Sequence, residues 1–118
     1  MGIKVLFIYP NNPGMILPPP ALALFSALLK KEGHKMEIFD LSFYSTGFGI
    51  NSDGTRMENL NVVPFDMGKK GGVKKIDWKL DLKKQIKRFQ PDLIGVTSTE
   101  DMWELGMHVL DEIKEIKI

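Results

Sequence analysis

Ile3-Lys4-Val5-Leu6-Phe7-Ile8-Tyr9 runs straight into Pro10-Asn11-Asn12-Pro13-Gly14, and Pro91-Asp92-Leu93-Ile94-Gly95-Val96 runs into Thr97-Ser98-Thr99. Both stretches are short apolar runs rich in branched residues, the pattern of strands covered on both faces. Each ends in a small polar loop ahead of a helical pattern. In an open α/β sheet, ligands bind at the carboxyl ends of such strands. The pair therefore predicts an α/β fold, a doubly wound parallel sheet, with the two loops at its binding edge.

Working outward from the first strand, Pro18 to Pro20 suits a helix start, where a missing N–H costs nothing. Leu22, Phe25, Leu28 and Leu29 then share one helical stripe. Lys30 and Lys31 favour the last turn, and Gly33 supplies the left-handed stop. Lys35 to Phe39 is a second strand ending at Asp40. Residues 1–40 thus read as a βαβ unit with a right-handed crossover.

Residues 41–77 read as a long irregular insertion, broken by glycines at 47, 49, 54, 68, 71 and 72. Asn61-Val62-Val63 is a candidate short strand, in a hairpin with residues 48–50. Long loops in compact domains are functional or disordered, and a surface excursion held by a few aromatics is favoured over an active-site lid. Residues 78–118 read as an αβα unit. Trp78, Leu82, Ile86 and Phe89 form one stripe, ended by Pro91. Met102, Leu105, Val109 and Ile113 form another. Lys79, Lys83, Lys84, Lys87 and Arg88 line the opposite side of the first of these helices, and a solvated face is the favoured reading.

Composition narrows the function. The 118 residues carry a net charge of +1, which argues against nucleic acid or an anionic membrane recognised by bulk charge. There is no cysteine, so disulfides, thiolate metal sites, a cysteine nucleophile and an iron–sulfur cluster are excluded within the chain. No apolar run approaches the roughly 20 residues of a membrane helix, and the amino terminus does not read as a signal peptide. A soluble cytoplasmic protein is the expectation. Three strands fall short of the roughly five usual in doubly wound sheets. The sequence thus reads as a piece of a longer protein, with self-association through an open sheet edge as the consequence.

Several nucleotide motifs fail. The first loop holds only Gly14, followed by Met15, Ile16 and Leu17, so G-x-G-x-x-G is absent. Asp40 stands where a ribose-binding acid would sit, which alone is weak evidence. There is no G-x-x-x-x-G-K-[ST] and no acidic pair of the response-regulator kind. His34 and His108 have no partner at ligand spacing, so structural or solvent-exposed roles are expected and no metal site is assigned. Ser98 lies outside any G-x-S-x-G elbow. With Asp101 it fits a capping box for the last helix, while Thr97, Ser98 and Thr99 together offer hydroxyls to a bound cofactor.

Three segments carry a family resemblance. The opening Lys4 to Pro10, the Pro18-Pro19-Pro20-Ala21-Leu22-Ala23 stretch, and Lys30 to Asp40 resemble the amino-terminal domain of cobalamin-dependent radical SAM enzymes. Pro91 to Thr99, with the following helix through Glu115, resembles the third-strand segment of cobalamin-binding domains. The resemblance covers most of the chain outside 41–77.

It implies a Rossmann-like, flavodoxin-like domain holding cobalamin over the carboxyl ends of its strands. Pro10, Asn11, Asn12, Pro13 and Gly14 would then lie near the lower corrin face, and Thr97, Ser98 and Thr99 near the nucleotide tail. The D-x-H-x-x-G of methionine-synthase-like domains is missing, since Asn11-Asn12-Pro13-Gly14 has no histidine. The implied cobalamin thus lacks a histidine ligand, as is common in radical SAM relatives. The later glycine-rich loop and the C-x-x-x-C-x-x-C motif are also missing. An iron–sulfur cluster and S-adenosylmethionine would therefore belong to a radical SAM domain outside this chain. The implied parent is a methyltransferase, and the chain alone is not expected to catalyse a reaction. Two rivals stand beside this reading. One is a degenerate Rossmann-like interaction module without cofactor; the other, ranked lower for want of a glycine-rich first loop, is a nucleotide-sugar-binding half of a glycosyltransferase.

Overall fold

A computed structural model describes residues 2–11, 19–44, 46 and 77–116, with the side chain of Asp101 excepted. Three parallel strands, β1 (Lys4–Tyr9), β2 (Lys35–Asp40) and β3 (Leu93–Val96), stand in the order β2-β1-β3. Between and after them come α1 (Pro20–Lys31), α2 (Trp78–Phe89) and α3 (Trp103–Ile113), the last entered through a 3₁₀ turn at Glu100–Met102. No described helix is long and apolar enough to cross a membrane.

The register explains how one sequence covers two faces. Leu6 stands beside Glu37 and Ile94, and Ile8 beside Phe39 and Val96. Residues paired this way project to the same side of the sheet. That side meets Trp78, Leu82, Ile86 and Phe89 of α2, and Leu105, Val109 and Ile113 of α3, in one buried cluster with Met102. Both stripes expected from the sequence are buried as whole stripes.

Val5, Phe7 and Tyr9 turn to the other side, with Met36, Ile38, Leu93 and Gly95. Here α1 supplies the cover, and the Phe25 ring stacks on Phe7 at 5.5 Å. The expected α1 stripe is only partly right. Leu22 is buried, whereas Phe25 and Leu28 remain exposed. A single helix lying beside β2 gives one line of close contact, and the flanks of the stripe stay in water. Gly95 makes the Phe7 packing possible, because a Cβ there would lie 2.8 Å from the ring.

Helix ends follow local chemistry. Pro19 is the N-cap of α1 and Pro20, the last of the three prolines, its first residue. Gly33 takes φ 85° at the turn into β2, a conformation that glycine adopts without a Cβ penalty. Asp77 caps α2 by accepting the Lys79 N–H at 3.0 Å. Gln90 ends α2 in the left-handed region with its N–H on the Ile86 carbonyl. Ser98 is not the cap position of the segment leading into α3. Thr99 is the N-cap of the 3₁₀ turn and makes no side-chain cap, because the chain tightens into 3₁₀ geometry before α3 begins.

The described start of the insertion is anchored, Tyr44 being one of its aromatics. Leu41 and Tyr44 are buried with the core, and Tyr44 donates to Asp81 of α2 at 2.8 Å. The strand and hairpin expected at 61–63 and 48–50 lie outside the described residues.

The basic face of α2 is mostly solvated, as expected, with two exceptions that reach neighbours. Lys79 meets Glu112 at 3.1 Å, and Arg88 grips both oxygens of Glu37 on β2 at 3.0 and 2.7 Å. Hydrogen bonding from Arg88 holds the Glu37 carboxyl below its ordinary range, with Gln85 assisting. A depressed carboxyl contributes stability above its unfolded pKa and loses it as pH falls through the folded value. Arg88→Met should therefore lower Tm by a few degrees at neutral pH. The gap to wild type should close as the buffer is taken below the ordinary glutamate range, about 4.3. Parallel melting curves that keep a constant gap down to acid pH would rule this pairing out as the cause.

Candidate functional site

The carboxyl end of β1 is where the winding reverses. The Tyr9 carbonyl accepts the Leu41 N–H on the β2 side, and the Ile8 carbonyl accepts the Thr97 N–H on the β3 side, both at 3.1 Å. The chain leaving β1 therefore emerges between two neighbours that part company. Helix α1 lies on one face and α3 on the other, the arrangement in which open α/β sheets place their ligands at the strand ends.

Pro10 and Asn11 are buried at this point. The Asn11 amide donates to the Ser42 hydroxyl at 2.8 Å, and that hydroxyl donates to the Asp40 carboxylate. The Asp40 carboxylate also accepts the Ser42 N–H at 2.9 Å, an Asx turn built by Asp-Leu-Ser. A continuous polar chain thus ties the first loop residue to the end of β2. Tyr9 lies beside Asp40 in the sheet. Burial first, and the Asp40 charge second, push its phenol above the ordinary value, so Tyr9 stays a neutral hydroxyl.

On the other wall, Thr97 and Ser98 are half-buried and Thr99 is exposed. Among the described residues none of these three hydroxyls has a protein hydrogen-bond partner. The two walls meet at α3. A Cβ on Gly106 would lie 3.4 Å from Pro10, 3.5 Å from Val96 and 4.0 Å from the Ser98 hydroxyl. A residue this small there leaves room for α3 to lie against both loops at once.

The structure therefore brings Pro10, Asn11, Thr97, Ser98 and Thr99 to one edge. Asn12, Pro13 and Gly14 lie outside the described residues. Asn11 faces inward, committed to Ser42, which suits it to positioning the loop. Sequence reasoning missed Ser42 and Gly106. The Asp-x-Ser pattern at 40–42 signalled the first, whereas nothing local signalled the second.

The histidines keep away from this edge. His34 Nδ1 accepts the Ile3 N–H at 3.1 Å at the opposite end of the sheet, and His108 lies edge-on to Trp78 at 5.8 Å. Among the described residues no cluster of histidine and carboxylate side chains could hold a metal ion. Two open grooves are lined by described residues. One of about 510 Å³ runs between β2 and α2, and one of about 610 Å³ joins the ends of α2 and α3 near Pro91. Neither is lined by Pro10, Asn11 or residues 97–99, although the first reaches Asp40. Comparison with family models, curated proteins and solved structures found no match.

Proposed function

We propose that the edge formed by the ends of β1 and β3 holds cobalamin without a histidine axial ligand. In this reading the chain is the Rossmann-like, flavodoxin-like cofactor domain of a cytoplasmic radical SAM enzyme, a methyltransferase in the simplest case. The order β2-β1-β3 is the beginning of the flavodoxin-like order, in which ligands sit at the reversal between β1 and β3. That reversal is the observation that carries the reading.

The side chains present fit such a ligand. Cobalamin has a broad apolar disc edged with amides and a polar nucleotide tail. Thr97, Ser98 and Thr99 offer unengaged hydroxyls to the tail, and Pro10 with Asn11 fixes the start of the loop facing the disc. When bound, cobalamin supplies the cobalt centre that carries an alkyl group. The chain's own part is to bind, orient and shield it. S-adenosylmethionine and an iron–sulfur cluster would be held by a partner radical SAM domain, which also contacts the substrate.

Hydroxocobalamin added to the purified chain and then desalted is expected to be retained, with a visible spectrum lacking the signature of histidine ligation. Ser98→Leu, which adds bulk at this edge, should weaken retention at least tenfold. Thr97→Val should weaken it roughly 3- to 10-fold, the scale of one lost hydrogen bond. If the wild-type chain loses the pigment on desalting and shows no spectral shift in titration, the cofactor reading fails. An interaction module with this fold would then be the reading left.

A further inference from the structure

We propose that β3 and α3 together form a two-fold self-association surface, on which a second copy of this chain continues the sheet across its β3 edge. The first argument is which edge is open. At the β2 edge, Gln85 of α2 reaches the outward carbonyl of Ile38 at 3.4 Å, and Arg88 and Gln85 engage Glu37 beside it. At the β3 edge, the outward groups of Leu93–Val96 have no strand partner among the described residues. The four-residue strand carries neither charge nor proline, two of the devices that blunt an edge.

The second argument is what flanks that edge. Helix α3 straddles β1 and β3, since Gly106 sits against both Pro10 and Val96. Its side towards α2 carries His108 and Glu112, which meet Trp78 and Lys79. At 3.6 residues per turn, the side overhanging the free edge carries Trp103, Met107, Leu110 and Lys114. Trp103 is 62% exposed and Met107 46%. On the other face of the sheet Leu93 is 54% exposed. The bare strand thus lies between two apolar margins.

The third argument is self-complementarity. A two-fold axis beside β3 pairs the strands antiparallel and sets α3 antiparallel to its copy. In that arrangement Met107 of each chain meets Leu110 of the other. Trp103 of each meets the stem and head of Lys114 of the other, whose ammonium is also paired with Asp111 of its own chain at 2.9 Å. A helix placed midway between β1 and β3 would lie about 10 Å from its copy once two edge strands pair at about 4.8 Å, within reach of the usual helix spacing. The stripe holds one charge, and the net charge of +1 leaves little repulsion between copies.

Sedimentation velocity of the 118-residue chain, from low micromolar to several hundred micromolar, is expected to show a monomer–dimer equilibrium. The double variant Trp103→Glu, Met107→Glu should weaken it about 30-fold or more, the scale of interface hot spots, while circular dichroism is unchanged. Phe43→Glu, on the β2 side, should leave it untouched. Hydrogen exchange supplies a readout that needs no variant. The Ile94 and Val96 amides, which point away from β1, should gain protection as concentration rises. A monomer at all concentrations overturns the proposal, as does a dimer broken by Phe43→Glu and not by the double variant. Edge amides already protected in a dilute monomer would mean another segment of the same chain covers β3, and would overturn it too. None of these readouts depends on cobalamin.

Discussion

Leu6→Ala is expected to cost about 2–5 kcal/mol of unfolding free energy, read as a large fall in the urea midpoint at nearly constant slope. Leu6 is fully buried in the central strand, and its side chain enters the cluster shared by α2 and α3. Truncation removes apolar contacts and leaves a cavity. Neighbouring backbone cannot collapse into it, because β1 is hydrogen-bonded on both sides. Natural domains hold only about 5–15 kcal/mol in total, so this one change consumes a large share of the reserve. Leu24→Ala on α1 is the matched control. Leu24 is 57% exposed, and surface changes of this kind usually stay within about 0.5 kcal/mol. Equal losses from the two would mean that the outer side of α1 is buried in solution, and the assignment of faces would have to be redrawn.

The contrast between those two leucines also marks how far the sequence could be read. Periodicity found α2 and the end segment because their stripes are buried whole, and the alternation of strand faces needed nothing beyond two-residue spacing. In α1 the same periodicity overstated the core. A stripe records which side of a helix is apolar, and the breadth of its contact depends on how many strands lie beneath it. At the site, the loops after β1 and β3 were legible because strand ends followed by small polar residues have few other uses. Their mutual placement was not legible, because it depends on a long-range approach. Ser42 reaches Asn11 across 31 positions, and Gly106 in the middle of a helix meets Pro10 from the other end of the chain. A glycine inside a helical pattern looks like a weakness until the partner that needs its space is known. The cap position shifted for a related reason, since the 3₁₀ turn begins after Thr99 and not after Ser98.

That glycine yields the sharpest test of how the fold shapes the site. Gly106→Ala should be tolerated or mildly stabilising. A Cβ would meet Pro10 and Val96 at 3.4 and 3.5 Å, ordinary contact distances, and alanine is favoured over glycine inside a helix by about 0.5–1 kcal/mol. Gly106→Leu should behave in the opposite sense. Its larger side chain has no space between Pro10, Val96 and the Ser98 hydroxyl, so α3 must retreat or the two loops must spread. Overpacking of this kind costs about 1–3 kcal/mol. The approach of Pro10 to Ser98 would be deformed in the same step, so on the proposed cobalamin reading retention should fall by at least tenfold in the leucine variant and stay near wild type in the alanine variant. Comparing the two by urea unfolding and by pigment retention separates the causes. If leucine lowers stability yet leaves retention intact, the meeting of the loops at Gly106 serves the fold alone and the cofactor must lie elsewhere along the edge. If alanine is as damaging as leucine, α3 lies closer to the strand ends than 3.4 Å allows, and glycine is required by the packing itself.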